Sequence, residues 1–321
     1  MKPMSQTIDK RGVFTAEVLA NQSLGGDHFR LRLAVAGFPQ AQPGQFVQVQ
    51  CRPIDPQQEG TVLEWDARHP PKPGQGELCD KEPFLRRPIS LAGCQVGPDG
   101  RTQLLLICRV VGTGTRWLSG LSAGEQISVL GPLGNGFAIR DSAPRAVLVG
   151  GGVGIPPLIF QAAALAAAGK ETVAFCGARQ AGLLPMTLVP GAKVAANVEP
   201  TPCLVELVVQ GVPAVVATDD GSLGYHGLVS DAFARWLDIA RPAAGQVVVY
   251  CCGPEAMMRA VAELCLARDI DCLLAMERHM ACGMGTCQSC IVKVRRDDPP
   301  GWAFELCCAD GPVFDAREIL W

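Results

Sequence analysis

Three cysteines and two glycines in one short segment carry the clearest chemical signal in this sequence. The segment Cys282-Gly-Met-Gly-Thr-Cys287-Gln-Ser-Cys290 has the pattern C-x4-C-x2-C, a spacing typical of [2Fe–2S] binding. Four thiolates must converge on two irons from a tight loop. Gly283 and Gly285 let the backbone fold closely around the sulfides and donate N–H groups to them. The spacing therefore predicts a [2Fe–2S] cluster.

The spacing leaves open which cysteine is the fourth ligand and which metal the segment binds. By spacing, either Cys307 or Cys308 can supply the fourth thiolate. The alternatives to a cluster are a zinc knuckle and a set of buried thiols. A structural zinc site usually pairs two C-x2-C elements, whereas this segment has a single one, so the spacing favours the cluster. Most of the fifteen cysteines sit singly in apolar runs, as Cys176 and Cys203 do, and are predicted to be buried thiols.

Four further segments have residue types that bind flavins or nucleotides. Gly150–Pro157 follows an apolar strand and opens a helix, where glycines allow a phosphate to approach the helix N-terminus. Cys252–Pro254 lies at a similar turn, although Gly-Pro is also ordinary at a helix start. In Arg87–Ser90 the arginine can pair with a pyrophosphate and the serine can bond a flavin edge. Gly112–Thr115 offers backbone N–H groups. Each segment alone is also compatible with an ordinary turn or a surface arginine.

The elements that must position these residues fall into three parts. Residues 12–50 and several runs between 87 and 130 are short and strand-like, which predicts a sheet or barrel. From residue 146 strands and helices alternate, which predicts a parallel sheet with helices on its faces. The last 49 residues, 273–321, are too few for a large core of their own. A cluster or metal is therefore expected to stabilise the fold of this segment.

Composition excludes several classes of function. A chain of 321 residues, 48% of them hydrophobic, can form two domains and a small third. The net charge of −3 and the lack of a basic stripe argue against a nucleic-acid partner. No apolar run has the uninterrupted length of a membrane span, and the N-terminal segment lacks the apolar core of a signal peptide. We therefore expect a soluble, cytoplasmic protein with no membrane partner.

Together and in this order, the segments resemble the ferredoxin-reductase-like superfamily. More closely, they resemble the family of electron-transfer subunits of class 1B dihydroorotate dehydrogenases. The resemblance covers nearly the whole chain and is most specific in its last two segments. The segments that carry it are RPIS at Arg87–Ser90, GTGT at Gly112–Thr115, the glycine-rich turn at Gly150–Pro157, TDDGS at Thr218–Ser222, CGPEAMM at Cys252–Met258, ERHMACGMGTCQSC at Glu277–Cys290 and CADGPVF at Cys308–Phe314.

The resemblance implies a multi-domain fold of β and α/β parts. An antiparallel β-barrel that binds FAD is expected over 1–143, a parallel α/β domain that binds NAD over 144–272, and a [2Fe–2S] domain over 273–321. Two segments depart from the family by their length. The proline-rich segment 52–83 is predicted to be a loop insertion on the surface, because long insertions in loops are tolerated. The stretch 291–307 also looks lengthened and leaves Cys307 beside Cys308.

The resemblance also assigns residues to each cofactor. The cysteine before the family's D-G-P-V-F run becomes the fourth cluster ligand, and no residue receives a catalytic role. The implied cluster ligands are Cys282, Cys287, Cys290 and Cys308. The implied FAD contacts are Arg87, Pro88, Ile89, Ser90, Ile107, Cys108, Arg109, Gly114 and Thr115. The implied contacts to the nicotinamide nucleotide are Gly151, Gly152, Gly154, Cys252, Gly253 and Pro254.

The resemblance further implies an electron route. A nicotinamide exchanges two electrons as a hydride, a cluster takes one at a time, and a flavin does both, so FAD belongs between them. Electrons would come from dihydroorotate on a separate, FMN-bearing catalytic subunit and pass through the cluster and FAD to NAD+ in pyrimidine biosynthesis, within a heterotetramer. No arginine cluster for a 2′-phosphate stands out, which favours NAD over NADP. The alternatives are a reductase subunit of a hydrogenase, a ferredoxin:NAD(P) oxidoreductase, and a non-catalytic zinc module.

Overall fold

The computed structural model describes residues 11–54, 83 and 85–321. Most of the insertion predicted at 52–83 lies outside these residues. Within the part of the chain that is described, no helix is both long and apolar enough to cross a membrane.

The N-terminal part is a closed barrel of six antiparallel strands, in the order β1-β2-β5-β4-β3-β6. Strand alternation sends Val47 and Val49 into the barrel core. Phe46, on the opposite face, packs against the C-terminal part instead, so it is buried as well. The strands are β1 (Gly12–Gly25), β2 (His28–Val35), β3 (Phe46–Val49), β4 (Arg87–Val96), β5 (Thr102–Arg109) and β6 (Gln126–Leu133), and helix α1 (Thr113–Ser119) follows β5.

The second part is a sheet with helices on both faces. Val147 and Val149 of its first strand pack with Phe233 and Val261 on one face. Leu148 packs with Leu158 on the other. The sheet order is β10-β9-β8-β7-β11-β12-β15. Its parallel strands are β7 (Arg145–Gly151), β8 (Glu171–Ala178), β9 (Ala214–Thr218), β10 (Tyr225–His226), β11 (Val247–Cys252) and β12 (Asp271–Ala275), and the helices are α2 (Ile155–Ala167), α3 (Val205–Val208), α4 (Val229–Ala240) and α5 (Glu255–Leu266).

The C-terminal segment is built onto both other parts. Strands β13 (Ile291–Arg295) and β14 (Trp302–Leu306) form a hairpin, and β15 (Val313–Asp315) pairs antiparallel with β12 at the sheet edge. Asn135 from the barrel side donates to the Val313 carbonyl at 2.8 Å and accepts from its N–H at 2.9 Å. Strand β12 runs across the domain boundary predicted between residues 272 and 273. The three predicted domain ranges therefore stay predictions.

Candidate functional site

Two turns meet where the order of the parallel strands reverses. Strands β8 and β9 continue the sheet on one side of β7, and β11 and β12 continue it on the other. Ligands of open α/β sheets bind at the carboxyl ends of the strands at such a switch point. Here the ends of β7 and β11 carry Gly151–Gly154 and Gly253–Pro254, the two turns that the sequence singled out. A cavity of about 470 Å3 opens beside them.

The two turns pack backbone against backbone, which is why glycine is required. A Cβ added to Gly154 would lie 2.4 Å from the Cys252 carbonyl oxygen. A Cβ added to Gly253, at φ +154°, would lie 3.0 Å from the Gly151 N atom. Of the predicted nucleotide contacts, Gly151, Gly152 and Pro254 line the cavity. Gly154, Cys252 and Gly253 are buried behind them and support the turns.

The barrel contributes a charged residue and a histidine to the same cavity. Arg109 ends β5 and His28 begins β2, and the two are directly paired across the strands. Both line the cavity. Burial, followed by the nearby Arg109 charge, lowers the pKa of His28. Arg109 was predicted from the sequence, whereas His28 was not, because a lone histidine in a strand belongs to no motif. Its pairing with Arg109 is visible only once the strand order is known.

The two segments predicted to bind the flavin lie against each other. A Cβ added to Gly114 would lie 3.2 Å from Arg87 Nε, so the first turn of α1 touches the start of β4. Arg87 Nη1 donates to the Leu85 carbonyl at 2.7 Å, which fixes one end of the guanidinium. The Thr115 hydroxyl accepts the Gly112 N–H at 3.2 Å and closes the turn before α1. Pro88, Ile89 and Ser90, the other residues of the segment, are half-buried.

Two predicted flavin contacts have their side chains in cores. Cys108 is 5% exposed and packs in the barrel core. Burial, with a smaller effect of Cys51, raises the pKa of Cys108 to about 12. Ile107 is buried in the core that the barrel shares with α2 and the parallel sheet. Any contact of these two residues with a flavin would therefore have to use their backbone groups.

The predicted cluster cysteines meet in two pairs. In the first, the Cys287 N–H donates to Cys282 Sγ at 3.4 Å, and Met284 donates to the same sulfur at 3.4 Å. In the second, the Cys308 N–H donates to Cys290 Sγ at 3.4 Å. Within the described ranges, no three Cys, His, Asp or Glu side chains surround one point as a single-ion site requires. Thiols in two pairs, with N–H donors on the sulfurs, fit the ligand set of a two-iron cluster.

The exposed and buried members of this set differ in acidity. Cys287 is exposed and lies 3.2 Å from the Ser289 hydroxyl. This hydrogen bond, with N–H donors nearby, lowers the pKa of Cys287 to about 6. Burial and the adjacent Cys290 thiol raise the pKa of Cys308 to about 12. Gathered thiols must lose their protons on binding metal, so cluster assembly would release protons here.

The neighbouring cysteines Cys307 and Cys308 point to different partners. Cys307 is fully buried, and its thiol donates to the Met276 carbonyl at 3.2 Å. Burial raises its pKa to about 12. Cys308 lies beside Cys290, the last cysteine of the C-x4-C-x2-C segment. The geometry therefore favours Cys308 over Cys307 as the fourth ligand.

Comparison with known proteins gives a match to a family model and matches to solved structures. Residues 277–320 match the family model of the iron-sulfur cluster binding domain of dihydroorotate dehydrogenase B. A solved NADH-dependent reduced ferredoxin-NADP oxidoreductase covers 99% of this chain and 92% of its own, with a TM-score of 0.67 at 24% identity. A ferredoxin reductase in carbazole 1,9a-dioxygenase has a TM-score of 0.56 at 19% identity, over 82% of this chain and 68% of its own. These structures confirm the predicted fold class.

Two curated relatives establish the family. The dihydroorotate dehydrogenase B (NAD(+)) electron transfer subunit of Desulforamulus reducens is 30% identical over 96% of this chain and 98% of its own length. The corresponding subunit of Geobacillus thermodenitrificans is 37% identical over 74% of this chain and 81% of its own. The family resemblance and the assignment as an oxidoreductase subunit are thereby confirmed. The chain belongs to the family of dihydroorotate dehydrogenase B electron transfer subunits.

Proposed function

We propose that the chain carries electrons between a [2Fe–2S] cluster and NAD+ through FAD, as the electron-transfer subunit of a dihydroorotate dehydrogenase. The observation that carries this proposal is the contact between the cluster loop and β3, the strand that pairs with the RPIS strand. Gln48 pairs with Pro88 across β3 and β4, and its side chain touches Gly283 of the cluster loop. The RPIS strand β4 therefore begins one strand away from the cluster loop.

The nucleotide cavity includes one residue of the proposed flavin site, Arg109. Arg109 follows Ile107 and Cys108 at the end of a barrel strand and lines the cavity together with Gly151 and Pro254. Glu277, which begins the matched iron–sulfur segment, lines it as well. One cavity thus collects residues from the barrel, the parallel sheet and the start of the cluster segment. This arrangement suits a flavin that must receive from one centre and give to another.

The residues of the chain would bind and orient the cofactors. Arg87 would pair with the FAD pyrophosphate through the guanidinium N–H groups that Leu85 does not use. The Gly151–Gly154 turn would admit the nicotinamide nucleotide close to backbone N–H groups at the start of α2. Arg109 would supply positive charge to the barrel wall of the cavity, where burial and this charge lower the pKa of the neighbouring His28. FAD, when bound, supplies the conversion between one-electron and two-electron transfer.

The four cluster ligands would divide between the two irons in the same pairs that the cysteines form in the structure. Cys282 and Cys287 would hold one iron, and Cys290 and Cys308 the other. Cys307 would remain a structural thiol.

The partner would be an FMN-bearing catalytic subunit that oxidises dihydroorotate, in a cytoplasmic heterotetramer of pyrimidine biosynthesis. The relatives' designation as electron transfer subunits supports a partner chain. The term NAD(+) in the names of these relatives supports NAD+ rather than NADP+ as the acceptor.

Reconstitution with a partner tests the proposed function. The chain is co-produced with a dihydroorotate dehydrogenase catalytic subunit, and NADH formation from dihydroorotate and NAD+ is followed without oxygen. We expect NADH formation to require both chains. A matched complex with Cys282→Ser should lose this activity while keeping its FAD. A wild-type complex that forms but reduces ferredoxin and not NAD+, or that reduces no NAD+ at all, would contradict the proposal.

A further inference from the structure

Gln48 is a buried amide at the contact between the barrel and the cluster loop. It is 0% exposed. Neither its Nε2 nor its Oε1 has a hydrogen-bond partner in the described part of the chain. Buried amide groups of folded proteins are nearly always hydrogen-bonded. A fully buried glutamine at this place therefore points to a further hydrogen-bond partner.

Strand alternation determines the direction in which Gln48 points. Val47 and Val49 face the barrel core. Phe46 faces the other way and packs in the core that contains Cys290. Gln48 is two residues from Phe46, so it lies on the same face of β3. An apolar side chain would fill this position without leaving polar atoms unpaired, yet the sequence has an amide there.

The amide lies directly against the cluster loop. A Cβ added to Gly283 would be 2.4 Å from Gln48 Nε2 and 2.7 Å from Gln48 Cγ. Gly283, at φ +71°, follows Cys282, whose sulfur already accepts N–H groups from Met284 and Cys287. The absence of a side chain at Gly283 lets the amide approach the loop directly beside Cys282.

We propose that Gln48 is a positioning residue for the cluster. Its Nε2–H donates to a sulfur on the Cys282 side of the bound cluster. This donor stabilises the more negative, reduced cluster and so raises its reduction potential, because hydrogen bonds to the sulfurs set that potential. Since Gln48 also pairs with Pro88, the same residue joins the cluster loop to the proposed flavin strand. The inference rests on the proposed function, because it requires that the chain holds the cluster.

The substitution Gln48→Met tests this role. Methionine keeps the length and apolar volume of the side chain but removes the amide donor. We expect the midpoint potential of the cluster to become about 59 mV more negative, which is about a tenfold change in the one-electron equilibrium constant. Iron and FAD contents should equal those of the wild type. The readout is an EPR-monitored redox titration of the complete protein.

A matched control is Gln161→Met on α2. Gln161 is also 0% exposed, but it packs on the nucleotide side of the molecule, next to Tyr250. We expect the midpoint potential of the cluster in Gln161→Met to equal that of the wild type. An unchanged potential in Gln48→Met with iron retained would overturn the role of Gln48, and so would an equal shift in Gln161→Met.

A second measurement covers the case in which Gln48→Met loses the cluster. Because Gln288 lies between two of the predicted ligands, protein with Gln288→Asn is labelled with 15N in the glutamine side-chain amides, reduced, and studied by pulsed EPR. We expect a 15N coupling to the cluster spin, and its absence refutes the inference. A wild-type protein without iron would instead refute the proposed function, so the two failures are distinguishable.

Discussion

The cluster loop, residues 282–290, and the glycine-rich turn, residues 150–154, make sites in opposite ways. The loop presents reactive side chains, with Cys287 exposed and its pKa lowered to about 6. The turn presents almost no side chains, and its use lies in how closely Gly154 approaches the Cys252 carbonyl. Spacing in the sequence reveals the first kind of site, whereas the second becomes specific only when both turns are placed at one sheet edge.

The cysteines of the parallel sheet also differ from the exposed Cys287 in burial and acidity. In the parallel sheet, Cys176 is buried, and burial, followed by nearby Cys203 and Glu206, raises its pKa far above the ordinary value. A thiol kept protonated in an apolar core is chemically inert. Burial explains the inertness of the sheet thiols, but it does not by itself separate them from the predicted ligands, because Cys308 is buried as well and its pKa is raised to about 12.

The largest expected effect distinguishes two adjacent cysteines of the C-terminal segment. We expect Cys308→Ser to lose nearly all its iron, because it removes a thiolate that faces Cys290. Cys307→Ser should keep its iron, because a serine hydroxyl can still donate to the Met276 carbonyl. Iron content and visible absorption of both purified variants check this. The reverse pattern would place the fourth ligand at Cys307.

An intermediate effect is expected in the glycine-rich turn. Gly154→Ala forces a methyl group against the Cys252 carbonyl, and such overpacking costs about 1–3 kcal/mol. We expect a lower Tm and weaker NADH binding, with iron content unchanged. Gly182→Ala is the control, because no atom lies within 4 Å of its added Cβ. Equal Tm values for the two variants would mean that the turns do not need close backbone contact.

The smallest effect is expected for a thiol of the sheet. Cys176→Ala removes one buried atom from the core, which costs about 0.5–1.5 kcal/mol, as for a deleted methyl group. Thermal denaturation measures this loss, and the visible spectrum should stay that of the wild type. Cys290→Ala, also at a buried cysteine, should lose the cluster. Loss of iron in Cys176→Ala would show that the two groups of cysteines are not separate.

Much of the architecture could be predicted from the sequence, because local patterns dictate it. Alternation of strands and helices from residue 146 predicts the parallel sheet, whose helices α4 and α5 begin at Val229 and Glu255. The addition of β15 to the sheet could not be predicted, because three residues, Val313–Asp315, have no distinctive pattern. That pairing depends on tertiary contacts, including those of Asn135.

The candidate site was predictable to a similar degree. Cysteine spacing identifies the loop, since ligand geometry restricts it tightly. His28 and Gln48 were missed, because neither belongs to a motif: His28 begins β2, which also contains Arg30 and Arg32, and Gln48 is the one polar residue of β3. Their significance comes from facing Arg109 and Gly283, which are distant in sequence. Contacts between the barrel and the rest of the molecule are the part that sequence patterns do not encode.

Anaerobic reduction of the purified chain by NADH, followed by absorption and EPR, tests whether electrons pass between the nicotinamide nucleotide and the cluster through FAD. We expect NADH to bleach the flavin bands and to produce the EPR signal of a reduced [2Fe–2S] cluster. In Cys308→Ser, NADH should bleach the flavin without producing that signal. Dithionite provides the chemical reference for full reduction. A colourless wild-type chain with stoichiometric zinc, or a cluster that dithionite reduces but NADH does not, would contradict this electron route.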